Sequence, residues 1–229
     1  MKTTNQKINE IFPTTLLTCD VEGPDDLSYY AQLIEQIAAE TPHPQSTRFC
    51  RQTYDDLDSR PEFKPLVDLI HQEMHAVFNT LELSRTGQYV NGMWGNVSYN
   101  GHTHIAHPHP NNYYSGILYL KTPPGSGSTI FLDPRPGAMV YRIDPSCTNR
   151  VNGDTIMVDA VAGKMLLFPS WLYHAVTENN FNNTDDTRIS IAFNIQFEGM
   201  ISTKHTARWN LRSAGTLQGL PPLSETGRQ

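Results

Sequence analysis

Gly101-His102-Thr103-His104-Ile105-Ala106-His107-Pro108-His109-Pro110 holds four of the chain's nine histidines within eight residues. A neutral imidazole is the commonest side-chain metal ligand. On an extended strand, residues two apart share a face. His107 and His109 would then present two ring nitrogens side by side, and His102 and His104 would do so one stretch earlier. Pro108 and Pro110 cannot donate ladder hydrogen bonds, which confines this segment to a sheet edge or a barrel mouth. A mouth is where a metal ion keeps coordination positions open. One histidine is more often a satisfied core residue, but four at this spacing point to a metal site.

Two later segments give the cluster a setting. Gly163-Lys164-Met165-Leu166-Leu167-Phe168-Pro169-Ser170 reads as a buried strand running into a turn, and His174 opens the next strand, 67 residues beyond His107. A few antiparallel strands bring such a separation back to one mouth. Thr187-Arg188-Ile189-Ser190-Ile191-Ala192-Phe193 alternates, with Arg188 and Ser190 on one face. A strand arginine is usually a solvated edge charge. Here it lies on the strand after His174, where its planar fork and the serine hydroxyl suit a carboxylate.

Around these segments the period-two pattern recurs. Strands are expected at Tyr89–Tyr99, Ser115–Lys121, Thr129–Leu132, Ala138–Ile143, Thr155–Val161, Lys164–Phe168, His174–Glu178 and Arg188–Phe197. Pro123-Pro124-Gly125-Ser126-Gly127 and Pro134-Arg135-Pro136-Gly137 read as turns. About eight short strands without interleaved helices predict a mainly β fold with flanking helices, a double-stranded β-helix of the jelly-roll or cupin-like kind. Upstream, Leu27, Tyr30, Leu33, Ile34 and Ile37 form one helical stripe after Pro24-Asp25-Asp26. Leu66, Ile70, Met74, Val77 and Leu81 form another over Glu62–Leu83. Both helices should pack outside one sheet. His43–Ser59 reads as loop, and His71 and His75 as helix surface. Residues 1–215 are expected to form one domain, with a helical front over 1–85 and the jelly-roll core over 86–200. Residues 216–229 should be a flexible tail.

Composition narrows the function classes. The 229 residues carry a formal charge of −6, which argues against a nucleic-acid backbone as partner. No long apolar run suggests a signal peptide or membrane span. Cys19, Cys50 and Cys147 are odd in number and widely spaced, which fits a reducing cytoplasm. Oligomeric state is not readable.

At the histidine cluster and the two segments after it, the sequence resembles the Fe(II)- and 2-oxoglutarate-dependent oxygenases. The resemblance is nearest to the prolyl-hydroxylase-like branch and, within it, to a small phage and bacterial group. It covers Trp94 to Phe197 and includes Ser115-Gly116-Ile117-Leu118-Tyr119-Leu120 and Phe131-Leu132-Asp133-Pro134-Arg135 in the expected order. It implies that His107 is the first metal ligand and His174 the distal one. Arg188, helped by Ser190, would pair with the far carboxylate of 2-oxoglutarate, and Tyr99 and Tyr119 would line its pocket. The implied reaction uses Fe(II), O2 and 2-oxoglutarate, yields succinate and CO2, and hydroxylates an unactivated C–H bond of an amino acid, peptide or other small molecule.

One departure from the family pattern falls at the metal. The pattern has a carboxylate two residues after the first histidine, and this chain has His109. In one reading His109 stands as the third ligand, which suits the group's own His-x-His-Pro pattern. Alternatively, His104 is the first ligand with Ala106 at the acid position, or the acid comes from Asp133. Two other function classes stay open. One is a cupin-type metal dioxygenase without 2-oxoglutarate, against which Arg188 and Ser190 argue. The other is a non-catalytic jelly-roll binding or structural protein. Tyr113, Tyr114, Trp94 and Trp171 border the site in sequence, though each taken singly reads as packing.

Overall fold

A computed structural model describes residues 4–83, 87–135, 146–147, 149–197, 200–202 and 208–210. The expected strand Ala138–Ile143 and the expected tail 216–229 lie outside them.

In chain order the elements are β1 (Leu17–Asp20), α1 (Pro24–Glu40), β2 (Cys50–Gln52), α2 (Lys64–Thr80), β3 (Gln88–Ser98), β4 (His104–His107), β5 (Tyr114–Lys121) and β6 (Thr129–Leu132). There follow β7 (Thr155–Val158), β8 (Lys164–Pro169), β9 (His174–Val176), β10 (Arg188–Phe197), β11 (Met200–Ser202) and β12 (Arg208–Asn210). One sheet runs β1-β8-β5-β10-β3-β2 and the other β4-β9-β6-β7, with β11 and β12 paired separately. All ladders are antiparallel. From β3 to β10 the chain passes between the two larger sheets in the order that defines a jelly roll.

Period two decides what each face of the large sheet meets. Ile189, Ile191, Phe193 and Ile195 of β10 point outward, with Met93 and Val97 of β3. They join Ile34, Leu66, Ile70 and Met74 of the helices in one buried cluster. Gly95 is required there, because a Cβ would come within 2.5 Å of Ile34 Cδ1. The opposite residues of β10 are Arg188, Ser190, Ala192 and Asn194. The first three line a cavity between the sheets. Ile117, Tyr119, Phe131, Leu166 and Phe168 close the rest of the interior with apolar packing.

The structure corrects the outline at its edges. His43–Ser59 is not all loop: β2 pairs Cys50, Arg51 and Gln52 with Ser98, Val97 and Asn96, and a 3-10 turn covers Leu57–Ser59. The second helix is shorter than expected at both ends. A 3-10 turn at Pro61–Phe63 precedes it. After Thr80 the chain turns through Glu82 at φ 52°, with Leu83 N–H donating to Phe78 O at 3.1 Å, a 6→1 closure of the Schellman kind. β1, β11 and β12 were not expected. They are too short for a period to show.

Candidate metal centre

β4 is the edge strand of the smaller sheet, where the two prolines require the cluster to be. It is not a regular strand. His104 pairs with Val176 and His107 with His174, with a register irregularity between. Ile105 and Ala106 both face solvent. This bulge brings His104 and His107, three apart, onto the inner face, where simple alternation would put them on opposite faces. His109 lies beyond the strand, and its N–H donates to Ser170 O at 2.8 Å. All four histidines line the cavity. Neighbouring ring centroids along the row stand 5.6, 4.9 and 5.2 Å apart.

His107, His109 and His174 converge, with one nitrogen of each within 4.8 Å of the others. Three nitrogens at about 2.1 Å from one ion lie about 3.0–3.6 Å apart, so shifts of about an ångström in the rings close the set. Tautomers follow from the partners. His107 Nδ1 meets Ile105 O at 2.8 Å and His174 Nδ1 meets Leu172 O at 3.1 Å. A carbonyl only accepts, so each Nδ1 carries the proton and each Nε2 offers a lone pair. His109 Nε2 stands 3.3 Å from His174 Nε2. With the His174 Nε2 lone pair facing it, His109 Nε2 either donates its own proton across that gap or shares a cation with it.

A positively charged ring is disfavoured here. Burial first, then neighbouring histidines, lowers His174 to about 3, while the Leu172 carbonyl opposes. Burial and the other rings lower His109 to about 4, opposed by a hydrogen bond with Asn194. His102 falls to about 4 through burial, His104 and Arg188, and His104 falls through burial, His107 and Arg188. At neutral pH His102, His104, His109 and His174 are therefore uncharged, with ring nitrogens available to a metal.

Arg188 is 4% exposed, and its Nε is buried without a partner. Among the described residues no carboxylate pairs with it, and no acidic side chain lines the cavity. Tyr119 supports it from one side, with the guanidinium carbon 5.1 Å from the ring centroid. The Tyr119 hydroxyl is engaged with Thr129 at 2.6 Å, and Tyr119 is fully buried. Tyr99 sits elsewhere, with Arg51 6.0 Å over its ring, and is not part of the lining. Ser190 and Ala192 lie between Arg188 and the histidines, and their small side chains leave the cavity open. Trp94 also lines it and stacks on His109 at 5.9 Å. Trp171 is exposed, while Tyr113 packs on Phe197 at 4.2 Å. Asp133 is not in the histidine group. Its carboxylate takes two bonds from Arg135, at 2.9 and 2.7 Å. A groove of about 550 Å³ adjoins the cavity, sharing His102 and His104 and lined also by Arg48, Phe49 and Gln52.

Sequence reasoning missed one set of residues. Asn194, Ser115 and Ser170 form a buried hydrogen-bonded chain beside His109. The only signal for it was a polar residue on the inner face of each of two apolar strands.

Residues 92–194 match the model of the family described as "Putative 2OG-Fe(II) oxygenase". No curated protein matches the sequence. Among solved structures, a Pseudomonas putida prolyl-4-hydroxylase aligns with TM-score 0.59 at 15% identity, over 81% of this chain and 94% of that one. HygX from Streptomyces hygroscopicus, solved with nickel and 2-oxoglutarate bound, aligns at 0.58 and 16%, over 80% and 83%. The α-ketoglutarate-dependent epimerase SnoN from nogalamycin biosynthesis aligns at 0.57 and 16%, over 90% and 91%. At such identities the structural likenesses establish the fold. The family match spans the core strands from β3 to β10, under half of the chain, and makes it similar to 2OG-Fe(II) oxygenases on a fold shared with prolyl hydroxylase. No helix among the described residues is long and apolar enough to cross a membrane.

Proposed function

We propose that this chain is an Fe(II)- and 2-oxoglutarate-dependent dioxygenase that holds its ion on His107, His109 and His174. The observation that carries this reading is a buried guanidinium, with no carboxylate partner among the described residues, facing three converging imidazole nitrogens across one cavity. A buried cation without a counter-ion is costly, and a dicarboxylate keto acid is the ligand that offsets it while reaching the metal. Arg188 takes the far carboxylate, and the Ser190 hydroxyl adds a donor to it. Tyr119 acts as the platform beneath Arg188 and not as a direct contact, and the Tyr99 ring lies outside the pocket. Trp94 and Phe168 give the cavity part of its apolar wall. Bound together, Fe(II) and 2-oxoglutarate supply O2 activation coupled to decarboxylation, with succinate, CO2 and an oxidised C–H bond as outcome. The neutral His109, in place of an acid, leaves the ion with more net positive charge than a carboxylate set would.

The substrate is an amino acid, a peptide or another small molecule, and the adjoining groove has the volume for it. No nucleic acid or membrane partner is proposed, given the net charge of −6 and the absence of a membrane-length helix among the described residues. The free thiols of Cys19 and Cys50 accord with a cytoplasmic setting. Anaerobic equilibrium binding tests the assignment. Wild-type protein should bind one Fe(II), and His174→Ala should lose that site. Unchanged stoichiometric binding by His174→Ala would refute the ligand set.

A further inference from the structure

β2 ends the larger sheet and β4 the smaller, and the groove beside the metal cavity lies between these two edges. Arg48, Phe49 and Gln52 line it from one side, His102, Thr103 and His104 from the other. His102 and His104 also line the cavity, so groove and metal site share a wall. An extended peptide often adds itself to a free strand edge. The edge of β2 is already used. Thr47 N–H donates to Cys50 O at 2.7 Å, Cys50 N–H to Thr47 Oγ1 at 3.2 Å and Gln52 N–H to Ser46 Oγ at 2.9 Å. Recognition in the groove therefore falls to side chains.

Among the described residues four buried side-chain atoms lack a hydrogen-bond partner: Gln52 Oε1, Gln88 Oε1, His102 Nδ1 and Arg188 Nε. All but the one on Gln88 belong to residues that line the groove or the cavity. An unpaired buried polar atom is costly, and a ligand that pairs with it recovers the cost. Gln52 is 4% exposed. Its Nε2 donates to Asn96 Oδ1 at 2.6 Å, which fixes the amide and leaves Oε1 as the unused end. The fitting molecule brings an N–H or O–H donor to that oxygen. Charge selects further. Among the described residues no acidic side chain lines the groove or the cavity, whereas Arg48 and Arg188 do. The Arg48 guanidinium lies over the Phe49 ring, 4.4 Å from its centroid, with its N–H fork open to a carboxylate. Phe49 packs at Gly101, and Glu178 Oε1 stands there too, 4.0 Å from where a Cβ of Gly101 would be, as an acceptor for an ammonium group.

We propose that the groove is the subsite for an amino acid or short peptide with a free carboxylate, which meets Arg48 while an N–H or O–H donor of the same molecule meets Gln52 Oε1. Gln52, held by Asn96, then selects the substrate, and the shared wall of His102 and His104 sets the bound molecule beside the metal centre. The fate of that molecule rests on the oxygenase reading; its binding does not.

The probes are the free L-amino acids and the glycyl dipeptides, each titrated into the metal-free full chain and followed by calorimetry. At least one should bind, and its α-carboxamide, which lacks the negative charge, should bind more weakly. Gln52→Met should weaken that probe by about 5–100-fold, the effect of leaving one buried polar group unpaired. Arg48→Met should weaken it by about 2–5-fold, as for an exposed ion pair. Without a probe, Gln52→Met should melt no lower than wild type, because the unpaired oxygen is removed together with the bond to Asn96. A Gln52→Met protein that melts lower and binds the probe as wild type does would make Gln52 structural and overturn the proposal. Binding by none of the probes would overturn it too, as would inorganic phosphate bound more tightly than any of them. If Gln52→Met does not fold, Arg48→Met and the α-carboxamide decide the matter. In the Fe(II)-loaded enzyme the bound probe should raise succinate release from 2-oxoglutarate, and a probe that binds without raising it is not the substrate the groove is proposed to take. The oxygenase reading fails separately. No succinate under any condition would sink that reading alone, and His174→Ala should bind the probe as wild type does whether or not it keeps Fe(II).

Discussion

Replacing Arg188 with Met should stabilise the ligand-free protein and abolish its response to 2-oxoglutarate. Arg188 is 4% exposed, and among the described residues no carboxylate pairs with it. Exchanging a buried charge for an apolar side chain of similar volume is often stabilising by about 1–4 kcal/mol. The contact with Tyr119, 5.1 Å away, is lost and removes about 0.5–2 kcal/mol of that gain. The net expectation is about 1–2 kcal/mol, or roughly 2–8 °C in melting temperature for a domain of this size. Binding moves the other way. Losing a desolvated ion pair costs about 2–5 kcal/mol, so 2-oxoglutarate affinity should fall by about 30-fold to several thousand-fold. Thermal melts with and without 2-oxoglutarate read both effects. At 100 times its dissociation constant the ligand should add about 2.7 kcal/mol to wild type and nothing measurable to Arg188→Met. A variant that melts below wild type and still shifts fully with 2-oxoglutarate would show that Arg188 is structural and would refute the reasoning.

Further expectations concern acid, metal and core. The pKa values of His102, His104, His109 and His174 are depressed on folding. Below about 6.5 the unfolded chain therefore binds protons that the folded one refuses, and stability is lost as pH falls toward 4 and 3. Melting of metal-free protein should drop between pH 7 and 5, less so in a His109→Gln, His174→Gln double variant; equal drops in the two proteins would contradict the assignment. Asp133→Asn should leave metal affinity within twofold by calorimetry, because that carboxylate serves Arg135; a tenfold loss would make Asp133 the third ligand. Ile34→Ala, at a fully buried contact of α1 with Gly95, should cost about 2–5 kcal/mol in denaturant unfolding. A cost under 1 kcal/mol would mean that α1 is not docked as described.

The fold was legible where the strands were long. Arg188–Phe197 has the expected bounds because alternation persists through its ten residues, and the four-residue Thr129–Leu132 was set off by the Pro-Gly turns before and after it. β1 and β2, at four and three residues, offer no period, and each exists because a longer neighbour pairs with it. At the site, the two prolines placed the histidines correctly at an edge. His107 and His109 do come together, but not by simple alternation. β4 ends at His107, and the inner face is kept by a bulge at Ile105 and Ala106 that no spacing rule reveals. Asn194 could not be read at all, since its bond to Ser115 joins two strands far apart in sequence.

The central claim is that the three histidines and Arg188 form one site that consumes 2-oxoglutarate. Succinate formation from 2-oxoglutarate under air tests it most directly, with Fe(II) and without any added substrate. The account predicts slow succinate release that requires Fe(II) and O2 and is lost in both His174→Ala and Arg188→Met. Succinate release that survives either substitution, or none from Fe(II)-loaded wild-type protein with 2-oxoglutarate bound, would contradict it.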